Sequence, residues 1–160
     1  MLIKKVNYLY KFLIIFSLIL PINSSRAEFF KDISNIITIN ESRLSYGVSV
    51  TDINADGNNE FIVTGFGYPN LALGYIDGKL KNIIQEDVFL DRDRKTIGVA
   101  ACDIDKDGFE EIYFLNTDTY SGIKKYSDRL IDKNNNDYFD LFELEKNREN
   151  LNLTAGRSVV

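Results

Sequence analysis

Histidine is absent from the 160 residues, and cysteine occurs once, as Cys102. Without an imidazole, Ser-His-Asp hydrolysis, His-bearing zinc sites and imidazole acid–base catalysis are excluded. A single thiol forms no intramolecular disulfide. Cys102 falls at the end of an apolar run, which predicts a buried structural thiol and not a reactive one. Positive charge is also scarce. Nineteen basic residues stand against 24 acidic ones, for a formal net charge of −5. Such a balance argues against nucleic acid and against anionic membrane surfaces as partners.

The apolar run Phe12 to Leu20 is too short to span a bilayer comfortably. Lys4, Lys5 and Lys11 surround its start, Pro21 follows it, and Ser25-Arg26-Ala27 offers small residues before a cut. Residues 1–27 therefore read as a secretory signal cleaved after Ala27. It holds four basic residues and no acidic one, so its loss takes the charge from −5 to −9. The expected address is secreted or extracellular, periplasmic or cell-surface in a Gram-negative host, with no stable membrane span after cleavage. In an oxidising compartment, calcium would take over the stapling that disulfides often perform.

What the chain does contain is an acidic loop written twice. Asp52-Ile53-Asn54-Ala55-Asp56-Gly57-Asn58-Asn59-Glu60 returns 51 residues later as Asp103-Ile104-Asp105-Lys106-Asp107-Gly108-Phe109-Glu110-Glu111. Oxygen side chains at alternate positions, a glycine at the turn and a closing carboxylate are what a hard cation such as Ca2+ requires. The loops are not EF-hands. The bidentate Glu of an EF-hand would fall three residues later, where this chain has Val63 and Phe114. Strand-like runs flank each loop, so the loops read as hairpin turns. Asp52, Asn54, Asp56 and Glu60 are the candidate side-chain ligands of one Ca2+. Asp103, Asp105, Asp107 and Glu111 are those of a second. The backbone carbonyls of Asn58 and Phe109 are candidate additional ligands, since Ca2+ takes about 6–8 oxygens. Asp105 stands where the first loop has Asn54, so tighter binding is expected at the second loop. The plain alternative is a polar turn, for which Asp, Asn and Gly are ordinary residues. Two copies in the same strand–loop–strand setting favour the metal reading.

A repeat of roughly 40–50 residues points to propellers or other arrays. The first repeat predicts strands over Gly47–Ile53, Glu60–Gly65, Asn70–Tyr75 and Leu80–Gln85, with Asp77-Gly78 as a hairpin turn. The second predicts Gly98–Ile104, Glu111–Asn116, Arg129–Asp132 and Tyr138–Glu143. Four antiparallel strands per repeat is the anatomy of a propeller blade. The fold class is therefore all-β, a partial β-propeller of about two four-stranded antiparallel blades after the signal peptide. The expected organisation is signal peptide 1–27, lead-in segment 28–46, repeat 47–93, repeat 94–153 and the start of a third repeat at 154–160. Asp91-Arg92-Asp93-Arg94-Lys95 reads as a solvated mixed-charge linker, and Leu144–Leu151 as one or two surface helical turns.

At these residues the chain resembles the FG-GAP/VCBS repeats of integrin α-subunits. More specifically it resembles the cartilage acidic protein family, through Tyr46-Gly47-Val48-Ser49-Val50-Thr51-Asp52, Tyr68-Pro69-Asn70-Leu71-Ala72-Leu73, the run Ile97 to Asp105, Glu111-Ile112-Tyr113-Phe114-Leu115-Asn116-Thr117, Ser121-Gly122 and Ala155-Gly156-Arg157-Ser158-Val159. The resemblance implies a secreted FG-GAP-type β-propeller associated with calcium and with extracellular-matrix interactions, and no enzyme. The family's propeller needs more blades than this length supplies. A truncated product is therefore expected, or missing blades on a separate chain.

These readings converge on a secreted, non-catalytic calcium-binding repeat protein in which Ca2+ ties the blade hairpins. An extracellular or cell-surface protein or glycan is the expected partner, in an adhesion or protein-interaction role. Two alternatives stand beside it. One is an accessory domain of a secreted hydrolase of glycosidase or phospholipase type, with Tyr46, Tyr68, Tyr113 and Tyr120 as candidate sugar-facing rings. The other is a truncated product without independent function.

Overall fold

The computed structural model describes residues 30–119, 121–134 and 137–156. The expected signal peptide and its cleavage point lie outside them, as does Tyr120. From Ile33 onward the chain forms one compact unit. Among the described residues it holds eight strands in two sheets. β1 (Val48–Thr51), β2 (Glu60–Val63), β3 (Leu71–Ile76) and β4 (Lys79–Asn82) form the first, in sequence order. β5 (Thr96–Cys102), β6 (Glu111–Asn116), β7 (Arg129–Asn134) and β8 (Asp137–Asp140) form the second, again in order. All neighbouring strands pair antiparallel. The fold is all-β, with two propeller-like blades.

Alternating and β-branched residues make these strands because their side chains pack well on a pleated sheet. In β2, Ile62 is buried while Phe61 beside it is exposed. In β6 nearly every residue is buried, as expected of a strand covered on both faces. The core lies between the sheets. Ile53, Ile62, Ala72 and Ile84 of the first repeat meet Val99, Ile112, Phe114 and Ile131 of the second around Phe89. Phe89 stands edge-on to the Phe114 ring at 5.2 Å. The inner strands approach where side chains are missing: a Cβ on Gly47 would lie 3.0 Å from the Gly98 Cα. The two backbones thus come into close approach at this glycine pair.

Several expectations need correction. Residues 87–90 form a helical turn, α1 (Asp87–Leu90), that carries Phe89 into the core. Asp91 is no solvated linker residue. It is buried, adopts a left-handed conformation, and accepts hydrogen bonds from Arg94 (2.9 Å), Arg129 (2.8 Å) and Asn116 (2.9 Å). Burying a carboxylate is tolerable only with such partners. β8 stops at Asp140, because the Asp140 side chain accepts from the Phe142 amide and opens a 3-10 turn over Leu141–Glu143. Cys102 is exposed. It ends β5 beside the solvent-facing loop, beyond the reach of the core that buries Val99.

Candidate metal centre

Each acidic loop connects the first two strands of its blade. Loop 1 runs from β1 to β2 and loop 2 from β5 to β6. The two share one local conformation. Ala55 and Lys106 are left-handed, with φ of 59° and 68°, and Gly57 and Gly108 follow at 86° and 94°. Glycine meets that geometry without Cβ strain.

The first aspartate of each loop binds backbone amides across the turn. Asp52 accepts from Asp56 N (2.9 Å) and Gly57 N (2.7 Å). Asp103 accepts from Lys106 N (2.6 Å) and Gly108 N (3.2 Å). The third position repeats the pattern. Asn54 Oδ1 accepts from Asp56 N at 2.9 Å, and Asp105 Oδ1 from Asp107 N at 3.0 Å. At the fifth position, Asp56 accepts from Asn58 N and Asp107 from Phe109 N, both at 2.8 Å. The Asn58 amide and side chain hold the Asp56 carboxyl below its ordinary range. Loop backbone amides thus hold the acidic oxygens in the same pattern in both hairpins.

The closing glutamates differ from the rest in being buried. Glu60 and Glu111 are each 3% exposed. Glu60 Oε2 accepts from Ile53 N at 3.1 Å, and Glu111 Oε2 from Ile104 N at 2.6 Å. Burial is the main force raising both carboxyls above the usual glutamate range. Nearby carboxylates add to it, Asp56 and Asp52 for Glu60, and Asp105 and Asp132 for Glu111. In loop 2, oxygens of Asp103, Asp105 and Glu111 converge within 4.8 Å of one another. Glu111 Oε1 is buried and has no hydrogen-bond partner. A buried, unpaired carboxylate oxygen is costly. A hard cation held by that trio would satisfy it, so the donor set fits Ca2+.

The structure does not treat all candidates alike. Asp107 lies outside the converging trio, and no second acidic trio converges in this way among the described residues. Loop 1 has the amide of Asn54 where loop 2 has a carboxylate. Asn58 and Phe109 lie where their backbone amides bind Asp56 and Asp107.

A family model described as an FG-GAP-like repeat matches residues 28–114, which include both acidic loops. The chain belongs to the FG-GAP-like repeat family. Cartilage acidic protein 1 of Xenopus tropicalis is 47% identical to it over 131 residues, and the human protein of that name 44% over the same length. The mouse protein is likewise 44% identical. These alignments cover 75% of this chain and 20% of each relative, so the chain spans about a fifth of the length of the curated relatives it matches. The matched residues take in the whole first blade and the second as far as β6, with both acidic loops.

Sequence reasoning missed two neighbours of these loops. Glu110 accepts a hydrogen bond from Thr51, tying loop 2 of one blade to β1 of the other. Asp132 of β7 stands beside loop 2. The antiparallel pairing of the predicted strands Glu111–Asn116 and Arg129–Asp132 was the signal available for it.

Proposed function

We propose that this chain is a calcium-binding, non-catalytic repeat module of a secreted or cell-surface protein. The observation that carries the reading is the convergence of Asp103, Asp105 and Glu111 around the buried, unpaired Glu111 Oε1. Asp103, Asp105, Asp107 and Glu111, with the Phe109 carbonyl, would hold one ion. Asp52, Asn54, Asp56 and Glu60, with the Asn58 carbonyl, would hold the other. A bound Ca2+ supplies charge compensation and a cross-link between the ends of the hairpin. The chain's own residues supply the rest: the loop amides orient the carboxylates before the ion arrives, and the blade core fixes the closing glutamates. Because the loop aspartates are already held by loop amides, they act as a fixed cage and not as mobile proton-transfer groups. This favours the structural role over the hydrolase alternative.

The resemblance to cartilage acidic protein 1 supports an extracellular setting and a protein or glycan partner in adhesion. Extracellular calcium modules commonly bind with Kd of about 10⁻⁴–10⁻³ M, which suits a calcium-rich exterior. Calorimetric titration of Ca2+ into the chain is expected to give two sites. Asp103→Ala should remove one and Asp52→Ala the other. Titrations unchanged by both substitutions would reject the assignment.

A further inference from the structure

β6 and β7 pair with Ile112 opposite Ile131. One residue further along both strands sets Glu111 against Asp132. Directly opposed residues send their side chains to the same face, with Cβ atoms about 4.5–5.5 Å apart. Asp132 therefore stands on the face that carries the buried Glu111 carboxylate. The first blade pairs Phe61 with Leu73, which sets Glu60 against Gly74. A Cβ built on Gly74 would lie 2.9 Å from the Ile83 Cγ2 and 3.6 Å from the Glu60 Cγ. A side chain at this position therefore reaches the closing glutamate. Blade 1 has none there, and blade 2 has a carboxylate.

Opposed like charges destabilise a strand pair, and here Asp103 and Asp105 add further negative charge. The Lys133 ammonium, next in sequence to Asp132, rests over the Phe109 and Tyr138 rings, at 4.6 and 5.7 Å from their centroids. Asp132 Oδ1 accepts from the Lys133 amide at 2.5 Å, which fixes its orientation. Asp132 is not part of the trio whose oxygens converge within 4.8 Å. The geometry points to Asp132 as an outer carboxylate of the second cation centre, making that centre the stronger of the two, while Gly74 supplies no carboxylate at the equivalent place in the first blade. This inference rests on the calcium reading of loop 2.

The test is calorimetric Ca2+ titration of the full chain carrying Asp52→Ala, which leaves only the second centre. Asp132→Asn keeps an acceptor for the Lys133 amide and removes the charge. It is expected to weaken Ca2+ binding about 10- to 100-fold. The calcium-free thermal midpoint should hold or rise, because repulsion is relieved. Asp132→Ser, measured in parallel, should behave alike. Unchanged affinity in both variants overturns the inference. A lowered calcium-free midpoint, or failure to fold without calcium, would mark Asp132 as a structural residue and overturn it too. If Asp103→Ala leaves Ca2+ binding intact in the same background, the calcium reading itself fails. That outcome is distinct from an Asp132 result alone.

Discussion

Glu111 concentrates the chemistry of this chain in one side chain. One carboxylate oxygen holds the Ile104 amide, and the other is buried without a partner. Its charged form is disfavoured by burial and then by neighbouring carboxylates, so its folded-state pKa lies above the unfolded value. Glu60 is displaced in the same direction. An acid raised in this way binds more protons folded than unfolded between the two values. The calcium-free chain should therefore lose stability as pH rises from the ordinary glutamate range through the raised one. Calcium requires the ionised form and should reverse that slope. Thermal midpoints across this window, with and without Ca2+, check the sign. Glu111→Gln should flatten the calcium-free dependence. A calcium-free midpoint that climbs through the window would contradict the assignment. The loop turns were legible in the sequence because their order encodes them: alternate oxygens, a glycine at the turn and a closing carboxylate; the left-handed Ala55 and Lys106 carry no such signal. Asp132 was not, because its place at the loop comes from strand register and not from spacing along the chain.

At the scale of elements, the strands were readable because β-branched and aromatic runs abut each acidic loop. Their ends were less so. β8 yields to a 3-10 turn at Asp140, where a side chain captures the Phe142 amide. A local polar contact of this kind competes with the ladder and leaves no hydrophobic signature. Asp91 is the larger surprise. Its sequence context is a run of mixed charge, yet its carboxylate joins Arg94, Arg129 and Asn116 at the junction of the blades. Arg129 also reaches Asp140 (2.9 Å) and Glu143 (3.0 Å). Removing one partner of a buried ion pair costs about 3–5 kcal/mol. Asp91→Ala is expected near the lower figure, because Arg129 keeps Asp140. Urea unfolding measures it, and a loss below about 1 kcal/mol would place the junction among surface ion pairs, which contribute little.

Across the molecule, equivalent residues of the two repeats meet different surroundings. Ile53 of loop 1 is 1% exposed, packed in the core with Tyr138 of the second blade against it. Ile104, its counterpart in loop 2, is 62% exposed. The chain thus anchors the first loop in the core through Ile53 and leaves Ile104 of the second facing outward, while residues 55–59 and 104–108 are exposed in both. Periodicity alone could not separate the two isoleucines, since each follows the first aspartate of its loop and they differ in what covers them. Tyr138 shows the same asymmetry. Its hydroxyl lies 3.5 Å from the Ile53 carbonyl, and burial pushes its pKa up to about 12. Both acidic loops are therefore joined to the inter-blade contact, loop 1 through Ile53 and loop 2 through the Thr51–Glu110 hydrogen bond. Ions bound in them should stabilise the pair of blades as a unit. The most direct measurement is thermal unfolding of the chain with Ca2+, with Mg2+ and with neither. At calcium about 100-fold above Kd, one native-state site adds about 2.7 kcal/mol. Each filled site should therefore raise a single cooperative transition by about 5–10 °C. The expected result is a calcium-specific rise that Asp52→Ala and Asp103→Ala each reduce and together abolish. A cooperative transition at the same temperature in all three conditions would contradict the account and leave the two loops as ordinary polar turns.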